Sequence, residues 1–192
     1  SIMEFMPNLE MLRFVNSGSQ VVPEDLIRAF HARGVPVAQV YGGTETGPVS
    51  IVLRPEEAMA RVGTCGRPAK GVQVRLGADG EVLLKAANLM RGYHASATPA
   101  FDAEGWFHTG DLALQEADGS YRIVGRSKEL IISGGENIHP AEIENLLAQH
   151  PDVAECCVVG LPDARWGEVP VLVLVPRPGR RIDEAALRAL FE

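Results

Sequence analysis

The 192-residue chain lacks features that mark several large protein classes. It has no apolar run near the roughly 20 residues that a membrane-spanning helix needs. Its three cysteines, Cys65, Cys156 and Cys157, form no pairable framework, and we interpret them as small buried hydrophobic residues in a reducing, cytoplasmic compartment. Acidic residues outnumber basic ones by 25 to 18, and the net charge of −7 disfavours a general nucleic-acid or membrane-surface binder.

Several signatures of common chemistry are also missing. There is no Gly-x-x-x-x-Gly-Lys-Ser/Thr loop, and no Gly-x-Gly-x-x-Gly motif follows a predicted strand. No Gly-x-Ser-x-Gly elbow occurs, and the five histidines and three cysteines never fall at zinc-binding spacing. A P-loop site, a dinucleotide fold, a hydrolase elbow and a structural zinc site are therefore disfavoured.

Changes in the pattern of apolar residues and glycines along the chain predict an α/β region followed by a β-rich one. In residues 1–60, short apolar runs flank a helix that opens at Pro23 and stops at Gly34, which predicts a parallel α/β sheet. Residues 61–127 hold short β runs separated by glycines, with a turn at Asp79-Gly80, as in a small antiparallel sheet or barrel. We interpret residues 1–127 as the end of a large domain.

A third style, over residues 128–192, predicts a small α+β domain that is truncated in its last helix. It opens with the stretch ELIISGGENIHPAEIENLL, in which an apolar triplet meets two glycines and Glu136, and a helix then begins at Pro140. The paired glycines have two interpretations. They form a strand-to-helix turn, or they let a ligand pass close to the backbone.

The stretch YGGTETG, from Tyr41 to Gly47, lies at a predicted strand end, where open α/β sheets bind ligands. Its glycines admit a ligand close to the backbone, and its threonines offer hydroxyl groups to a phosphate. Glu45 would repel a phosphate unless a hard cation lay between them, so a functional Glu45 implies Mg²⁺. The alternative is a glycine-rich turn with capping hydroxyl groups.

Two later motifs carry charged side chains. GWFHTGD ends at Asp111 in a predicted loop, and this carboxylate can accept two hydrogen bonds from a ribose diol or cap a turn. GRSKE is expected to place Arg126 and Lys128 on one face of an extended segment, either holding an anion or forming a solvated face.

In this order, YGGTETG, HTGD and GRSKELIISGGENIHPAEIE closely resemble the adenylate-forming superfamily, and the last stretch resembles the acyl- and aryl-CoA synthetases. The resemblance runs from about residue 16 to residue 175. It implies activation of a carboxylic acid, fatty or aryl, by Mg-ATP to an acyl-adenylate. Coenzyme A then takes the acyl group and AMP leaves, while the small C-terminal domain rotates about a hinge.

The resemblance also implies roles for single positions. Thr44 would contact phosphate, Glu45 would hold Mg²⁺, and Lys128 would mark the hinge. Tyr41 would stack on adenine, with Asp111 and Arg126 on the ribose. The full nucleotide-binding set is Gly18, Ser19, Gln20, Tyr41, Gly42, Thr44, Asp111 and Arg126. Gly43 would line the acyl pocket, and the coenzyme A set is Ser133, Gly134, Gly135, Glu136 and Trp166.

The sequence departs from the family pattern in places. SGSQVV stands where Gly-Gly-Ala-Pro is usual, the phosphate-gripping upstream loop is missing, and none of Lys70, Lys85 and Lys128 lies late enough to be the family's C-terminal lysine. We therefore expect a piece of an enzyme that keeps nucleotide contacts but does not form acyl-AMP alone. Two rival hypotheses remain, namely an adenylation domain that loads a carrier protein and a non-catalytic nucleotide-binding module of the same fold.

Overall fold

The structure is a computed structural model that describes residues 9–96 and 99–190. The chain divides into two compact units between Ile123 and Val124, and the predicted boundary at residues 127/128 stays a prediction. After a 3-10 turn at Leu9–Met11, the first unit contains β1 (Val15–Ser17), α1 (Glu24–His31), β2 (Val37–Gly43), β3 (Gly47–Val52), α2 (Pro55–Ala58), β4 (Arg67–Pro68), β5 (Gln73–Leu76), β6 (Glu81–Lys85) and β7 (Phe107–Gln115). Strand β8 (Tyr121–Arg126) crosses the division.

The first sheet has the order β1-β2-β3-β4. Strands β1 and β2 are parallel and joined by α1, as predicted, whereas β2–β3 and β3–β4 are antiparallel. Helix α1 follows Pro23, carries Glu24 in its first turn, and buries Ile27 and Phe30. These side chains pack with Val35 and their neighbours in one core cluster. The two parallel strands therefore end at the same edge of the sheet, where the candidate site lies.

The second sheet, β5-β6-β7-β8, confirms the predicted small antiparallel sheet. The turn predicted at Asp79-Gly80 connects β5 to β6, and Gly80 has a φ of +86°. A single cluster packs Ile51 of the first sheet with residues of the second. Its buried members are Ile51, Cys65, Val82, Leu84, Ala113 and Tyr121. The two sheets therefore share a core that fixes β2 relative to β7.

The second unit is the predicted small α+β domain. It contains β9 (Ile131–Ser133), β10 (Glu136–Ile138), α3 (Pro140–Leu147), β11 (Val153–Asp163), β12 (Gly167–Pro176) and α4 (Glu184–Arg188), with strand order β10-β9-β12-β11. Helix α3 packs on β11, where Val158 donates its backbone N–H to Glu144 Oε1 over 2.8 Å. Buried Ile131, Leu147 and Val153 contribute to the interior.

Three predictions, about the paired glycines, Lys128 and the cysteines, are wrong. The paired glycines do not lead from a strand into a helix, because β9 turns back antiparallel into β10 before α3 begins. Lys128 is not in an extended segment, since residues Ser127–Glu129 form a 3-10 turn. Cys157 is exposed and Cys156 is half-buried, so only Cys65 is a buried cysteine.

Within the described ranges, the helices are all too short or too polar to cross a membrane.

Candidate functional site

The two parallel strands deliver their polar carboxyl-terminal segments to one cleft of about 520 Å³. One wall comes from the end of β1 and the loop after it, and the other comes from the end of β2 and the turn into β3. The lining residues are Asn16, Ser17, Gly18, Ser19, Val40, Gly42, Gly43, Thr44, Gly47 and Pro48. The structure thus brings together two segments that the sequence analysis singled out separately.

The YGGTETG stretch is the turn of a β-hairpin between β2 and β3. Thr46 is buried, and its Oγ1 accepts a hydrogen bond from the Gly43 N–H over 2.8 Å. A Cβ atom on Gly42 would lie 2.5 Å from the Gly47 carbonyl oxygen, so the hairpin itself requires this glycine. Gly42 and Thr46 thus serve the turn. Gly43 and Thr44 are exposed and line the cleft.

Tyr41 and Asp111 meet although 70 residues separate them in the chain. The Tyr41 hydroxyl donates a hydrogen bond to Asp111 Oδ2 over 2.6 Å. Burial, together with the hydrogen bond to Asp111, raises the pKa of the Tyr41 phenol far above its ordinary value. The phenol is therefore a neutral donor at physiological pH, and it fixes one oxygen of a carboxylate predicted to hold a ribose.

Asp111 lies in strand β7 and not in the predicted loop. It belongs to a bulge, because Glu81 pairs with Leu112 and Leu83 pairs with His108. The three residues between those partners on β7 therefore face Val82 alone. Asp111 is the last of these three residues, and its carboxylate accepts the hydrogen bond from Tyr41.

Glu45 is a single carboxylate at the hairpin turn. Its Oε1 accepts a hydrogen bond from the Tyr93 hydroxyl over 3.4 Å, and its backbone oxygen accepts one from Met90 N–H over 2.8 Å. No group of three or more His, Cys, Asp or Glu side chains suited to a metal ion occurs in residues 9–96 and 99–190. Mg²⁺ commonly uses one or two carboxylates together with substrate phosphates, so a lone Glu45 fits a nucleotide-bound magnesium but not a protein-only metal site.

The remaining predicted nucleotide contacts differ in setting. Gly18 and Ser19 line the cleft, and Ser19 has a φ of +71°, a left-handed conformation in which a non-glycine residue is strained. Gln20 is exposed and is not among the cleft-lining residues. Arg126 ends β8 and is exposed, as is Lys128 in the turn that follows.

The predicted coenzyme A residues cluster in the second unit. Gly134 and Gly135 form a two-residue turn between paired Ser133 and Glu136, with φ values of +61° and +89°, as in a type I′ turn. Gly134 N–H donates to the Trp166 carbonyl oxygen over 2.8 Å, and a Cβ atom on Gly134 would lie 2.7 Å from the Trp166 ring. The five residues of the predicted set therefore meet at one surface.

Trp166 projects from the turn between β11 and β12. Asp163 Oδ1 accepts hydrogen bonds from the backbone N–H groups of Arg165 and Trp166, each over 2.8 Å, which shapes this turn. The Trp166 side chain remains 46% exposed, and the Arg165 guanidinium carbon lies 4.7 Å from the centre of its ring. An exposed aromatic ring and a cation thus flank the glycine turn.

Sequence reasoning missed several polar residues around the hairpin turn. Asn16 and Ser17 line the cleft, and the Asn88 side-chain amide donates to the Thr46 carbonyl oxygen over 3.3 Å. Tyr93 contacts Glu45 from the same later segment. Asn16 and Ser17 were detectable as polar residues ending an apolar run, whereas Asn88 and Tyr93 carry no local signal.

Two family profiles match the sequence. The profile of the AMP-binding enzymes matches residues 3–94, and that of the AMP-binding enzyme C-terminal domain matches residues 142–191. The chain belongs to the AMP-binding, or adenylate-forming, enzyme family.

Among curated relatives, an indoleacetate–CoA ligase of Aromatoleum aromaticum is 46% identical over 96% of this chain and 39% of its own length. A feruloyl-CoA synthase of an Amycolatopsis species is 41% identical over 95% of this chain and 40% of its own length. The chain therefore spans about two fifths of the curated relatives that it matches.

Among solved structures, the o-succinylbenzoate CoA synthetase of Bacillus subtilis with its acyl-adenylate intermediate matches with a TM-score of 0.86. The two are 34% identical over 95% of this chain and 40% of that one. A further structure of that enzyme holds ATP and a magnesium ion, with a TM-score of 0.83, 34% identity, and coverage of 94% of this chain and 40% of that one.

Proposed function

We propose that the protein carrying this chain joins an aryl-substituted carboxylic acid to coenzyme A in two steps, through an acyl-adenylate made from ATP. In the first step the acid carboxylate attacks the α-phosphorus and pyrophosphate leaves. In the second, the coenzyme A thiol attacks the acyl carbon, AMP leaves and a thioester forms. The proposal rests on the hydrogen bond between Tyr41 and Asp111, which lies beside the hairpin turn that borders the cleft.

The nucleotide would bind to the first unit. Tyr41 would offer an aromatic face for adenine, and the second oxygen of Asp111 would accept from a ribose hydroxyl group. Arg126 lies after the division between the two units, and its ribose contact stays a prediction. Thr44, exposed at the cleft, would donate to a phosphate. Gly18, Ser19, Gln20 and Gly42 would complete the adenine side.

Glu45 would hold a magnesium ion against the phosphates of the bound nucleotide. When bound, the ion would neutralise charge on the phosphates. The solved structure of the Bacillus subtilis synthetase with ATP and magnesium ion supports this assignment by family likeness. The Glu45 side chain lies beside the cleft-lining Gly43, where a Cβ atom would lie 3.4 Å from its Oε2, while its backbone oxygen accepts a hydrogen bond from Met90 N–H.

Coenzyme A would bind at the turn in the second unit. Its pantetheine arm is long and thin, and Gly134 and Gly135 present backbone without side chains. Trp166 would cover the arm from one side, with Ser133 and Glu136 at the base of the turn. Lys128, in the 3-10 turn after β8, would lie at the hinge about which the small domain rotates between the two half-reactions.

The acid is proposed to be aryl. Gly43 lines the cleft, and a Cβ atom there would make only ordinary contacts, 3.4 Å from Glu45 Oε2 and 4.0 Å from Thr46 Oγ1, so it is kept as the proposed acyl-pocket residue. The indoleacetate and ferulate ligases among the relatives favour the same class over fatty acids.

The test uses the protein as its gene encodes it, with Mg-ATP, coenzyme A and a panel of indole-3-acetate, ferulate, benzoate and palmitate. AMP release and thioester formation are followed separately. We expect an aryl acid to give both products, with kcat/KM about tenfold or more above that of palmitate. A preference for palmitate would overturn the substrate class.

The same assay separates the two rival functions. AMP formation without thioester on free coenzyme A, but with thioester on a phosphopantetheinylated carrier protein, would identify a carrier-loading adenylation domain. Nucleotide binding without AMP formation for any acid would identify a non-catalytic module.

A further inference from the structure

We propose that Glu81 is a positioning residue that sets the nucleotide affinity of this enzyme by holding the strand bulge that presents Asp111. The proposal rests on the proposed role of Asp111 as a ribose ligand. Glu81 lies on the neighbouring strand β6, and no sequence motif singles it out.

The bulge needs an external support because it gives up regular strand pairing. Thr109, Gly110 and Asp111 face only Val82 across the ladder, and Gly110 has a φ of +71°. Two side-chain hydrogen bonds come from within the motif, as Thr109 Oγ1 donates to the Val82 carbonyl oxygen over 2.8 Å and accepts from Asp111 N–H over 3.1 Å. Neither satisfies the N–H of Gly110.

Glu81 supplies that missing contact. Its Oε1 accepts from the Gly110 N–H over 2.8 Å, and its Oε2 lies 2.8 Å from His108 Nδ1. The Glu81 side chain is only 16% exposed, so water replaces it poorly. The Glu81 carboxylate therefore contacts β7 on both sides of Thr109, immediately before Asp111, which accepts the hydrogen bond from Tyr41.

A simpler role for Glu81 is an ion pair with His108 that merely stabilises the sheet. His108 is half-exposed, and its Nε2 also lies 3.7 Å from Asp102 Oδ2. Glu81 is therefore one of two carboxylates that contact this imidazole ring. The two roles differ in what they require. Positioning requires an acceptor that reaches Gly110 N–H, whereas ion pairing requires a negative charge.

The experiment compares three substitutions of Glu81 in the protein as its gene encodes it. Glu81→Gln keeps the reach but removes the charge, Glu81→Asp keeps the charge but shortens the reach, and Glu81→Ala removes both. Glu104→Ala is the matched control, because Glu104 pairs with Arg75 on the same sheet away from the bulge. KM values for ATP and for the acid are measured, along with the thermal midpoint of each variant.

We expect Glu81→Asp and Glu81→Ala to raise KM for ATP about tenfold, with KM for the acid unchanged, while Glu81→Gln and Glu104→Ala stay near the parent. If Glu81→Ala does not fold, the contrast between Glu81→Asp and Glu81→Gln decides. The reverse order, with Glu81→Asp normal and Glu81→Gln impaired, would overturn the proposal in favour of the ion pair. Equal KM values for ATP in all variants would overturn it too.

Asp111→Asn separates this inference from the proposed function. If this substitution leaves KM for ATP unchanged, the ribose role of Asp111 fails, and the inference fails with it. If Asp111→Asn raises KM for ATP but neither Glu81→Asp nor Glu81→Ala does, only the inference about Glu81 is refuted.

Discussion

Replacing Tyr41 with Phe would remove one hydroxyl group and keep the aromatic ring that is proposed to stack on adenine. The hydroxyl donates to the Asp111 carboxylate over 2.6 Å and belongs to a side chain packed against the core of the first unit. Hydrogen bonds to charged groups contribute about 1.5–3 kcal/mol. Because Asp111 is only half-buried, water replaces part of the bond, and we expect a loss at the low end, about 1.5 kcal/mol.

This loss should appear as weaker nucleotide binding. Without the Tyr41 hydroxyl, the Asp111 carboxylate loses one of the hydrogen bonds that hold it, and it is then less well ordered for the nucleotide. About 1.4 kcal/mol corresponds to a tenfold change, so we expect KM for ATP to rise about tenfold while the acid and coenzyme A KM values stay constant. Steady-state kinetics of AMP release with the protein as its gene encodes it provide the measurement.

Tyr121→Phe is the matched control. Tyr121 is buried in the same core cluster, and its hydroxyl accepts from a neutral partner, the Gln115 side-chain amide, over 3.1 Å. This substitution should lower the thermal midpoint without raising KM for ATP. If Tyr41→Phe and Tyr121→Phe change KM for ATP equally, or if neither changes it, the proposed link between Tyr41, Asp111 and the nucleotide is refuted.

Two further predictions concern stability and coenzyme A. Burial raises the pKa of the Cys65 thiol from 9.0 to about 12. As the pH rises, the thiol therefore loses its proton in the unfolded chain before it does so in the folded one. The contribution of the neutral thiol to folding stability is fully present below pH 9 and is lost as the pH rises toward 12. Urea unfolding should therefore show the free energy of unfolding falling by about 1 kcal/mol more between pH 8 and pH 10 than in Cys65→Ala, and parallel curves would contradict this. Trp166→Ala should raise KM for coenzyme A without affecting ATP–pyrophosphate exchange. The control is Trp106, whose ring packs under Arg75 at 4.5 Å, and Trp106→Ala should not alter KM for coenzyme A. Equal effects of the two substitutions would argue against the coenzyme A site.

Elements with strong local chemistry were predictable from the sequence. Helix α1 begins after Pro23, and Gly34 lies beyond its end with a φ of +76°, as the capping pattern indicates. The turn at Asp79-Gly80 is set by the same kind of local preference. The parallel pairing of β1 and β2 follows because a short helix connects them.

The geometry of the site was not predictable in the same way. The Tyr41–Asp111 contact depends on a core that joins two sheets, and no local pattern encodes a partner 70 residues away. The bulge at Asp111 depends on Glu81, whose contact with Gly110 spans 29 residues. HTGD therefore looked like a loop, although it is part of a strand whose pairing is interrupted.

The glycine turn shows why residue type alone is weak evidence for a ligand. Strand β10 has only three residues, too few for a periodicity signal, so the sequence suggested a strand-to-helix turn. A two-residue turn with positive φ at Gly134 and Gly135 requires glycine whether or not a ligand binds. The feature that does point to a ligand is Trp166, a large aromatic ring that packs against Gly134 yet is 46% exposed. The proposed coenzyme A site therefore depends on the tryptophan more than on the glycines, which is why its substitution is the sharper test.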